Sequence, residues 1–326
     1  MKRFRARTEV RPRDFEQLFV LGEGSFGRVT QVRVKGEDPC AVFALKEVKK
    51  GSAKGETMRS LANEARVHSQ LDHPFLARLI RTFQCPRKVY FLIEFVPGGE
   101  LRCRLRNEGR FSEEVGLFYA GELLLALHYL HSNDTVFRDL KPENLLIDAR
   151  GHLKLIDFGF AKTLDCEAGR AHTLCGTAAY MAPEMLLKYK REGYAKSVDW
   201  WAFGVILFEM LTGEHPFDDE DPQKVYAKII EMRFALPRHL SASARSLLSS
   251  LLTRCENRLG VSDNGESIMQ HDFFAGVSFE EMLKKECPAP WKPEPTALSD
   301  ARHFGQQTCL SRRLLTENQD DPFEDF

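Results

Sequence analysis

An acid, a lysine, a carboxamide and a second acid lie close together near the middle of this chain. Residues 137–144 read Phe-Arg-Asp-Leu-Lys-Pro-Glu-Asn, and Asp157-Phe158-Gly159 follows thirteen residues later. Asp139 can accept a proton from an attacking hydroxyl, and Lys141 can neutralise charge on a transferring phosphate. Asn144 and Asp157 offer the hard oxygen ligands that Mg²⁺ prefers. The combination predicts phosphoryl transfer, although each triplet alone is a weak signal because Arg-Asp-Leu is common in loops.

The eight-residue run resembles the catalytic loop of eukaryotic protein kinases, and the later triplet resembles their metal-binding motif. The resemblance implies that Asp139 and Lys141 are catalytic, that Asn144 and Asp157 hold Mg²⁺, and that ATP supplies the phosphate. A lysine two residues after the aspartate is the variant found in serine/threonine kinases. The implied fold is α+β and two-lobed, with a small β-rich N-lobe, a larger helical C-lobe and a C-terminal tail.

The implied boundaries divide the chain into three parts. They are a basic N-terminal arm at 1–14, a kinase domain at 15–274 (N-lobe 15–95, C-lobe 100–274) and a C-terminal tail at 275–326. The breaker cluster Pro97-Gly98-Gly99 predicts the hinge between the lobes. The arm carries six basic residues, and we interpret it as a solvated segment rather than a docking or import signal.

A glycine-rich segment near the start of the chain predicts contact with phosphates. Gly22, Gly24 and Gly27 form the pattern Gly-x-Gly-x-x-Gly between predicted strands at 19–21 and 29–34. Glycines let backbone N–H groups approach a phosphate without interference from a Cβ atom. The pattern alone also fits a plain hairpin or a dinucleotide site, but a β-rich segment follows it instead of a helix, which argues against the dinucleotide.

The family resemblance implies a complete nucleotide-binding site that includes this glycine-rich segment. Lys46 ends an apolar strand, and Glu64 follows it by eighteen residues on a predicted helix at 57–71. Lys46 is implied to grip the phosphates and to pair with Glu64, whereas an ordinary surface lysine is the alternative reading. The implied ATP-binding residues are Leu21, Gly22, Gly24, Ser25, Phe26, Gly27, Val29, Ala44, Lys46, Ile93, Glu94, Val96, Glu100 and Leu146.

The segment that follows Asp157 narrows the resemblance to one group of kinases. Residues 173–177 read Thr-Leu-Cys-Gly-Thr, before a terminator at Ala182-Pro183-Glu184. They resemble the AGC group, which includes the cyclic-nucleotide-dependent and ribosomal-protein kinases. The resemblance implies that Thr173 is phosphorylated and that Arg138 and Lys162 bind its phosphate. Arg258 is implied to pair with Glu184.

Three departures from the AGC pattern stand out, and the sequence leaves their effects open. Ala178-Ala179 replaces a Pro-Glu or Ile-Glu pair, and Ser60 replaces a helix histidine found in the cyclic-nucleotide branch. His68 occupies a position of the internal hydrophobic column, which it would share with Leu79, Phe137 and Phe158. A satisfied, half-buried histidine is the favoured reading of His68, and pH tuning of the helix is the alternative.

Three acids match family positions that read the substrate. Glu100 matches the acid for an arginine three residues before the target, and Glu143 and Glu209 match the pair that flanks an arginine two residues before it. Carboxylates around a guanidinium give strong, often bidentate hydrogen bonds. We therefore expect protein substrates of the type Arg-Arg-x-Ser/Thr-apolar.

The end of the chain is expected to act as a docking segment. Four prolines fall within residues 288–295, and the last residues include Phe323 and Phe326. This Phe-x-x-Phe resembles the AGC hydrophobic motif, which folds back onto the small lobe and can dock an upstream activating kinase. Because the sequence stops at Phe326, without the usual phosphorylated hydroxyl, we expect constitutive docking. A frayed acidic tail is the alternative.

Composition excludes several classes of function. The 326 residues carry a net charge of −1, which gives no general attraction for nucleic acid. The eight cysteines form no Cys-x-x-Cys pair, and the longest apolar run is too short for a membrane span. We expect a cytoplasmic protein with access to the nucleus, and leave open a regulatory subunit as partner. The alternatives to an active kinase are a pseudokinase scaffold, which the complete motif set disfavours, and a small-molecule kinase.

Overall fold

The computed structural model describes residues 10–24, 27–38, 40–50, 55–164, 169–188 and 191–293. The first part of the chain builds five strands: β1 (Phe15–Gly24), β2 (Gly27–Val34), β3 (Val42–Lys49), β4 (Leu79–Gln84) and β5 (Lys88–Glu94). They form one antiparallel sheet with the order β1-β2-β3-β5-β4. Helix α1 (Gly55–Ser69) lies between β3 and β4 in sequence and packs beside the Phe158–Phe160 turn.

The second part of the described chain is mainly helical. Its helices are α2 (Leu101–Glu108), α3 (Glu113–Ser132), α4 (Pro183–Lys188), α5 (Ser197–Thr212), α6 (Pro222–Glu231), α7 (Ala242–Leu251), α8 (Glu266–Met269) and α9 (Phe279–Leu283). Two short antiparallel pairs join β6 (Thr135–Val136) to β9 (Lys162–Thr163) and β7 (Leu145–Ile147) to β8 (Leu153–Leu155). The expected α+β fold, with a small β-rich lobe and a larger helical lobe, is confirmed.

The core of the helical lobe forms around α3 and α5. Helix α5 is apolar on nearly every face, and Trp200 and Trp201 are almost fully buried, as expected for a helix enclosed on all sides. Ser112 caps α3 by accepting a hydrogen bond from the Val115 N–H, and Ser241 caps α7 in the same way. These caps fix where the two helices begin.

The chain crosses between the lobes at the predicted breaker cluster. Strand β5 ends at Glu94, and the Gly98 N–H donates to the Ile147 carbonyl at 2.8 Å. A Cβ atom at position 98 would lie 2.4 Å from that carbonyl oxygen, so only glycine allows this approach. The hinge is thereby fixed to β7, which carries residues that lie beneath the cleft.

Part of the sequence-based prediction falls outside the described residues. This applies to positions 1–9 of the basic arm and to residues 294–326, which include Phe323 and Phe326. Among the helices of the described ranges, none combines the length and apolarity that a membrane crossing requires.

Candidate active site

Lys46 joins three elements at the bottom of the cleft between the lobes. From β3, its Nζ donates to Glu64 Oε1 on α1 and to Asp157 Oδ1, each at 2.8 Å. Burial alone would lower the pKa of Lys46, but the charges of Asp157 and Glu64 outweigh it and raise that pKa above its usual value. The same lysine holds the pKa of Asp157 below its usual range against the effect of burial. Lys46 therefore remains a cation in the cleft.

A second cluster surrounds the carboxylate of Asp139. Lys141 Nζ donates to Asp139 Oδ2 at 2.8 Å, and the Thr177 hydroxyl donates to Oδ1 at the same distance. Lys141 also donates to Thr177 Oγ1, and the Asn144 amide nitrogen contacts both the Asp139 carbonyl and Oδ2. Asp139 is thus oriented on both of its oxygens, which is the arrangement that a positioned general base requires.

Asp199 holds the catalytic loop in an uncommon backbone conformation. Arg138 has φ 73°, in the left-handed region that costs energy for a residue other than glycine. The buried Asp199 carboxylate accepts the backbone N–H groups of Phe137 and Arg138 at 2.8 and 2.9 Å, and it also contacts His131. These contacts compensate the strain and fix the direction in which Asp139 points.

A cavity of about 280 Å³ opens beside the Lys46 cluster, and Lys46, Glu64 and Asp157 form part of its wall. The predicted ATP-binding residues that line it are Leu21, Gly22, Gly27, Val29, Ala44, Lys46, Ile93, Glu94, Val96, Glu100 and Leu146. Gly24 is the last residue of β1, whereas Ser25 and Phe26 lie outside the described residues. The lining is mainly apolar at the β5 side and charged at Lys46 and Asp157, which suits a flat base attached to phosphates.

Asn144 and Asp157 fit the role of Mg²⁺ ligands. The Asn144 amide nitrogen is used on Asp139, which leaves its oxygen as the ligand atom. Lys46 and the Gly159 N–H both contact Asp157 through Oδ1, so Oδ2 is the oxygen that remains for a metal ion. The described residues contain no cluster of three or more His, Cys, Asp or Glu side chains suited to a metal. Two protein ligands agree with Mg²⁺, which usually retains water and phosphate ligands.

Two of the three predicted substrate-reading acids meet around an arginine of the chain itself. Arg102 on α2 donates to Glu143 at 3.0 Å and to Glu209 at 3.1 Å. The Tyr180 hydroxyl donates to the other oxygen of Glu209 at 2.8 Å. Glu100 is the residue just before α2, and it lines the cavity together with Glu143.

Sequence reasoning missed the roles of Thr177, Asp199 and Arg102. In the sequence, Thr177 stands out only as part of the motif at 173–177. An aspartate flanked by Val198 and Trp200 in an apolar helix was an available signal, because a buried carboxylate requires partners. No comparable signal existed for Arg102, which stands among other charged residues of α2.

The predicted phosphorylation site is exposed and connected to the catalytic loop. The Tyr194 hydroxyl donates to the Thr173 carbonyl at 2.6 Å and accepts a hydrogen bond from Arg138 Nη1 at 3.1 Å. Arg138 also donates to the Phe160 carbonyl. A phosphate on Thr173 would therefore form near Arg138, which is itself a residue of the catalytic loop, while modification of Thr173 remains a prediction.

His68 is buried and has a hydrogen-bond partner. Its Nε2 lies 2.7 Å from the Ala77 carbonyl, and its ring packs against Phe158 with centroids 4.2 Å apart. Burial lowers its pKa to about 4. The geometry agrees with the satisfied histidine that the sequence favoured, although its side chain is more deeply buried than expected.

We expect the neutral state of His68 to make stability depend on pH. With a pKa of about 4 when folded against 6.5 when unfolded, its contribution is complete above pH 6.5 and declines as pH falls toward 4. The loss at pH 5.5 is about 1 kcal/mol. Urea unfolding at pH 7.5 and 5.5 should give a smaller difference for His68→Leu than for the wild type. His172→Leu, at an exposed histidine, serves as control. An unchanged pH difference in His68→Leu would contradict this expectation.

Comparison with known proteins finds one family and many relatives. The family described as "Protein kinase domain" matches residues 15–274. Ribosomal protein S6 kinase alpha-2 of Homo sapiens is 42% identical over 297 residues, which cover 90% of this chain and 40% of that protein. Serine/threonine-protein kinase YPK1 of Saccharomyces cerevisiae is 43% identical over 296 residues, covering 90% and 43%. Ribosomal protein S6 kinase beta of Caenorhabditis elegans is 40% identical over 331 residues, covering 97% and 59%.

These relatives are longer than the present chain. The chain spans between two fifths and three fifths of their lengths. The matched protein kinase domain, residues 15–274, includes the cleft residues described above. The similarity to ribosomal protein S6 kinases confirms the AGC resemblance that the segment 173–177 indicates.

Proposed function

The chain belongs to the protein kinase family, in its AGC group, and we propose that it transfers the γ-phosphoryl group of ATP to serine or threonine hydroxyls of proteins. One observation carries the proposal: the ion pairs of Lys46 line the cleft, and Lys141, which contacts Asp139, lies close enough to lower the pKa of Asp157. Phosphoryl transfer passes through a loose transition state, so catalysis depends on positioning and charge neutralisation. Together, the Lys46 cluster and the Asp139 cluster provide this positioning and charge neutralisation.

Asp139 is the base in this proposal. Thr177 and Asn144 restrict the rotation of its carboxylate. Lys141, which already contacts Asp139 and Thr177, is placed to neutralise the phosphate. The carboxylate takes the proton of the substrate hydroxyl, and the lysine counters the charge on the group in transfer.

Lys46, Glu64 and Asp157 form the nucleotide end of the site. Glu64 holds Lys46 in place for the phosphates. Asn144 and Asp157 would hold Mg²⁺ through the oxygens that their other contacts leave available. Bound Mg²⁺ supplies the Lewis acid that neutralises the phosphate oxygens. The apolar lining around Val29, Ala44 and Leu146 supports an adenine ring.

We propose further that substrates carry arginine two and three residues before the target. The acids Glu100, Glu143 and Glu209 support this preference, since carboxylates select guanidinium groups. We also propose that phosphorylated Thr173 orders its segment through Arg138. A phosphate-independent contact of Phe323 and Phe326 with the small lobe or with an upstream kinase, and a regulatory subunit, remain proposals from the family resemblance alone.

A pseudokinase scaffold is the alternative, and a peptide array distinguishes it. We expect the purified chain with MgATP to phosphorylate Ser/Thr peptides, with enrichment for arginine before the target. Asp157→Ala should abolish the signal because a metal ligand and a partner of Lys46 are lost. Glu220→Ala, at an exposed acid between α5 and α6, serves as control.

Nucleotide binding without phosphate transfer to any peptide would contradict the proposed activity. Phosphate transfer only to acidic or proline-directed peptides would instead leave the activity standing and contradict the arginine preference. The two parts of the proposal are therefore tested separately.

A further inference from the structure

Arg102 lies in a pocket formed by two carboxylates and a phenol. Its Nε donates to Glu143 Oε1 and its Nη1 to Glu209 Oε1, and Nη2 lies 3.4 Å from the Tyr180 hydroxyl. The three partners come from the Pro142–Asn144 turn, from α5 and from the Ala178–Tyr180 turn. Every nitrogen of the guanidinium thus faces an oxygen of the pocket.

The acids, and not the helix, account for this placement of Arg102. It is the second residue of α2, where the helix dipole disfavours a cation, and the first turn of α2 carries no acid. Its charge instead opposes the burial that raises the pKa of Glu209. Arg102 is held by the pocket because it neutralises a carboxylate that is only 3% exposed.

With Arg102 in place, the pocket has little left to offer a second guanidinium. Glu209 uses one oxygen for Arg102 and the other for Tyr180. Glu143 gives Oε1 to Arg102, and its Oε2 is enclosed and meets no donor in the described part of the chain. Two carboxylates and one guanidinium leave a net charge of −1, which rests mainly on the half-exposed Glu143.

We propose that Arg102 is a built-in occupant of the acidic pocket of Glu143 and Glu209, and that a substrate arginine must displace it to reach both acids. The inference rests on the proposed kinase function and refines its substrate class. Because Arg102 belongs to the same chain, it competes for the two acids at a high effective concentration. The free energy needed to displace it reduces the binding free energy that a substrate arginine contributes. Arg102 is therefore a specificity-determining residue that weakens selection for arginine two residues before the target.

Two peptides test the proposal. Both carry arginine three residues before the serine, and they differ only in arginine or alanine two residues before it. For the wild type, the ratio of their kcat/KM values should be about fivefold or less, as for one exposed ion pair. In Arg102→Leu the ratio of the two kcat/KM values should rise to about ten- to a hundredfold, because both carboxylates become available for charge-assisted hydrogen bonds.

Two further variants make the comparison specific. Arg106→Leu makes the same change one turn later on α2, at an exposed arginine, and should keep the wild-type ratio. Arg102→Lys keeps the charge but loses the forked geometry, so an intermediate ratio is expected. If thermal melting shows that Arg102→Leu is unstable, Arg102→Lys serves as the folded variant.

The outcomes separate this inference from the proposed function. A rise in Arg102→Leu with no change in Arg106→Leu supports it. A wild-type ratio above tenfold, or the same ratio in the wild type and both Arg102 variants, overturns it. If no peptide is phosphorylated, the proposed function fails, and the ratio of peptide dissociation constants from fluorescence anisotropy decides the role of Arg102 by the same criteria.

Discussion

Asp139→Asn should slow peptide phosphorylation by about a hundred- to ten-thousandfold, the usual contribution of a positioned general base. The amide has nearly the same shape and can still accept from Lys141 or Thr177, so the loop should keep its conformation. It cannot take the proton of the substrate hydroxyl. The nucleotide phosphates depend on Lys46 and Asp157, and the affinity for a fluorescent ATP analogue should therefore remain close to that of the wild type.

Asp134→Asn is a matched control for this experiment. Asp134 lies five residues earlier, is exposed, and pairs with Lys196 at the protein surface. The same change of chemistry there should leave turnover within about twofold, in line with the small contribution of surface ion pairs. Near-normal turnover in Asp139→Asn would show that the base has been assigned to the wrong residue.

Arg258→Ala should lower the free energy of unfolding by about 3–5 kcal/mol, because it leaves the buried carboxylate of Glu184 without its partner. The Arg258 side chain is fully buried and donates through both Nη atoms to Glu184. It also donates to the carbonyls of Leu251, Ser197 and Thr253 and lies over the Trp201 ring. The family resemblance implies the pairing of Arg258 with Glu184, and these contacts explain why its loss should lower the free energy of unfolding.

Urea unfolding measures this loss directly. Arg254→Ala removes an exposed arginine four residues earlier and should change the free energy of unfolding by no more than about 0.5 kcal/mol. Since Glu184 lies in the first turn of α4 and ends the segment that carries Thr177, we also expect reduced turnover in Arg258→Ala. A loss in Arg258→Ala no larger than that of the control would mean that Glu184 finds another partner.

Much of the catalytic site could be predicted from sequence because its chemistry is local. Asp139, Lys141 and Asn144 lie within six residues, and their contacts form inside one short loop. The caps at Ser112 and Ser241 were equally predictable, since an N-cap hydroxyl bonds a backbone N–H only three residues away. The pairing of Lys46 with Glu64 came from family resemblance, as no local pattern joins a strand residue to a helix eighteen residues later.

The tertiary structure alone decided what surrounds the substrate-reading acids. Arg102 and Glu209 are 107 residues apart in sequence, and they meet only because α2 and α5 are both fixed to the core of the helical lobe. Nothing in the sequence of α2 distinguishes Arg102 from its neighbours Arg104 and Arg106, because the difference lies in which way each side chain faces. A charged residue's partner depends on packing between distant elements, and packing determines whether these two acids await a substrate or already hold an arginine of the chain.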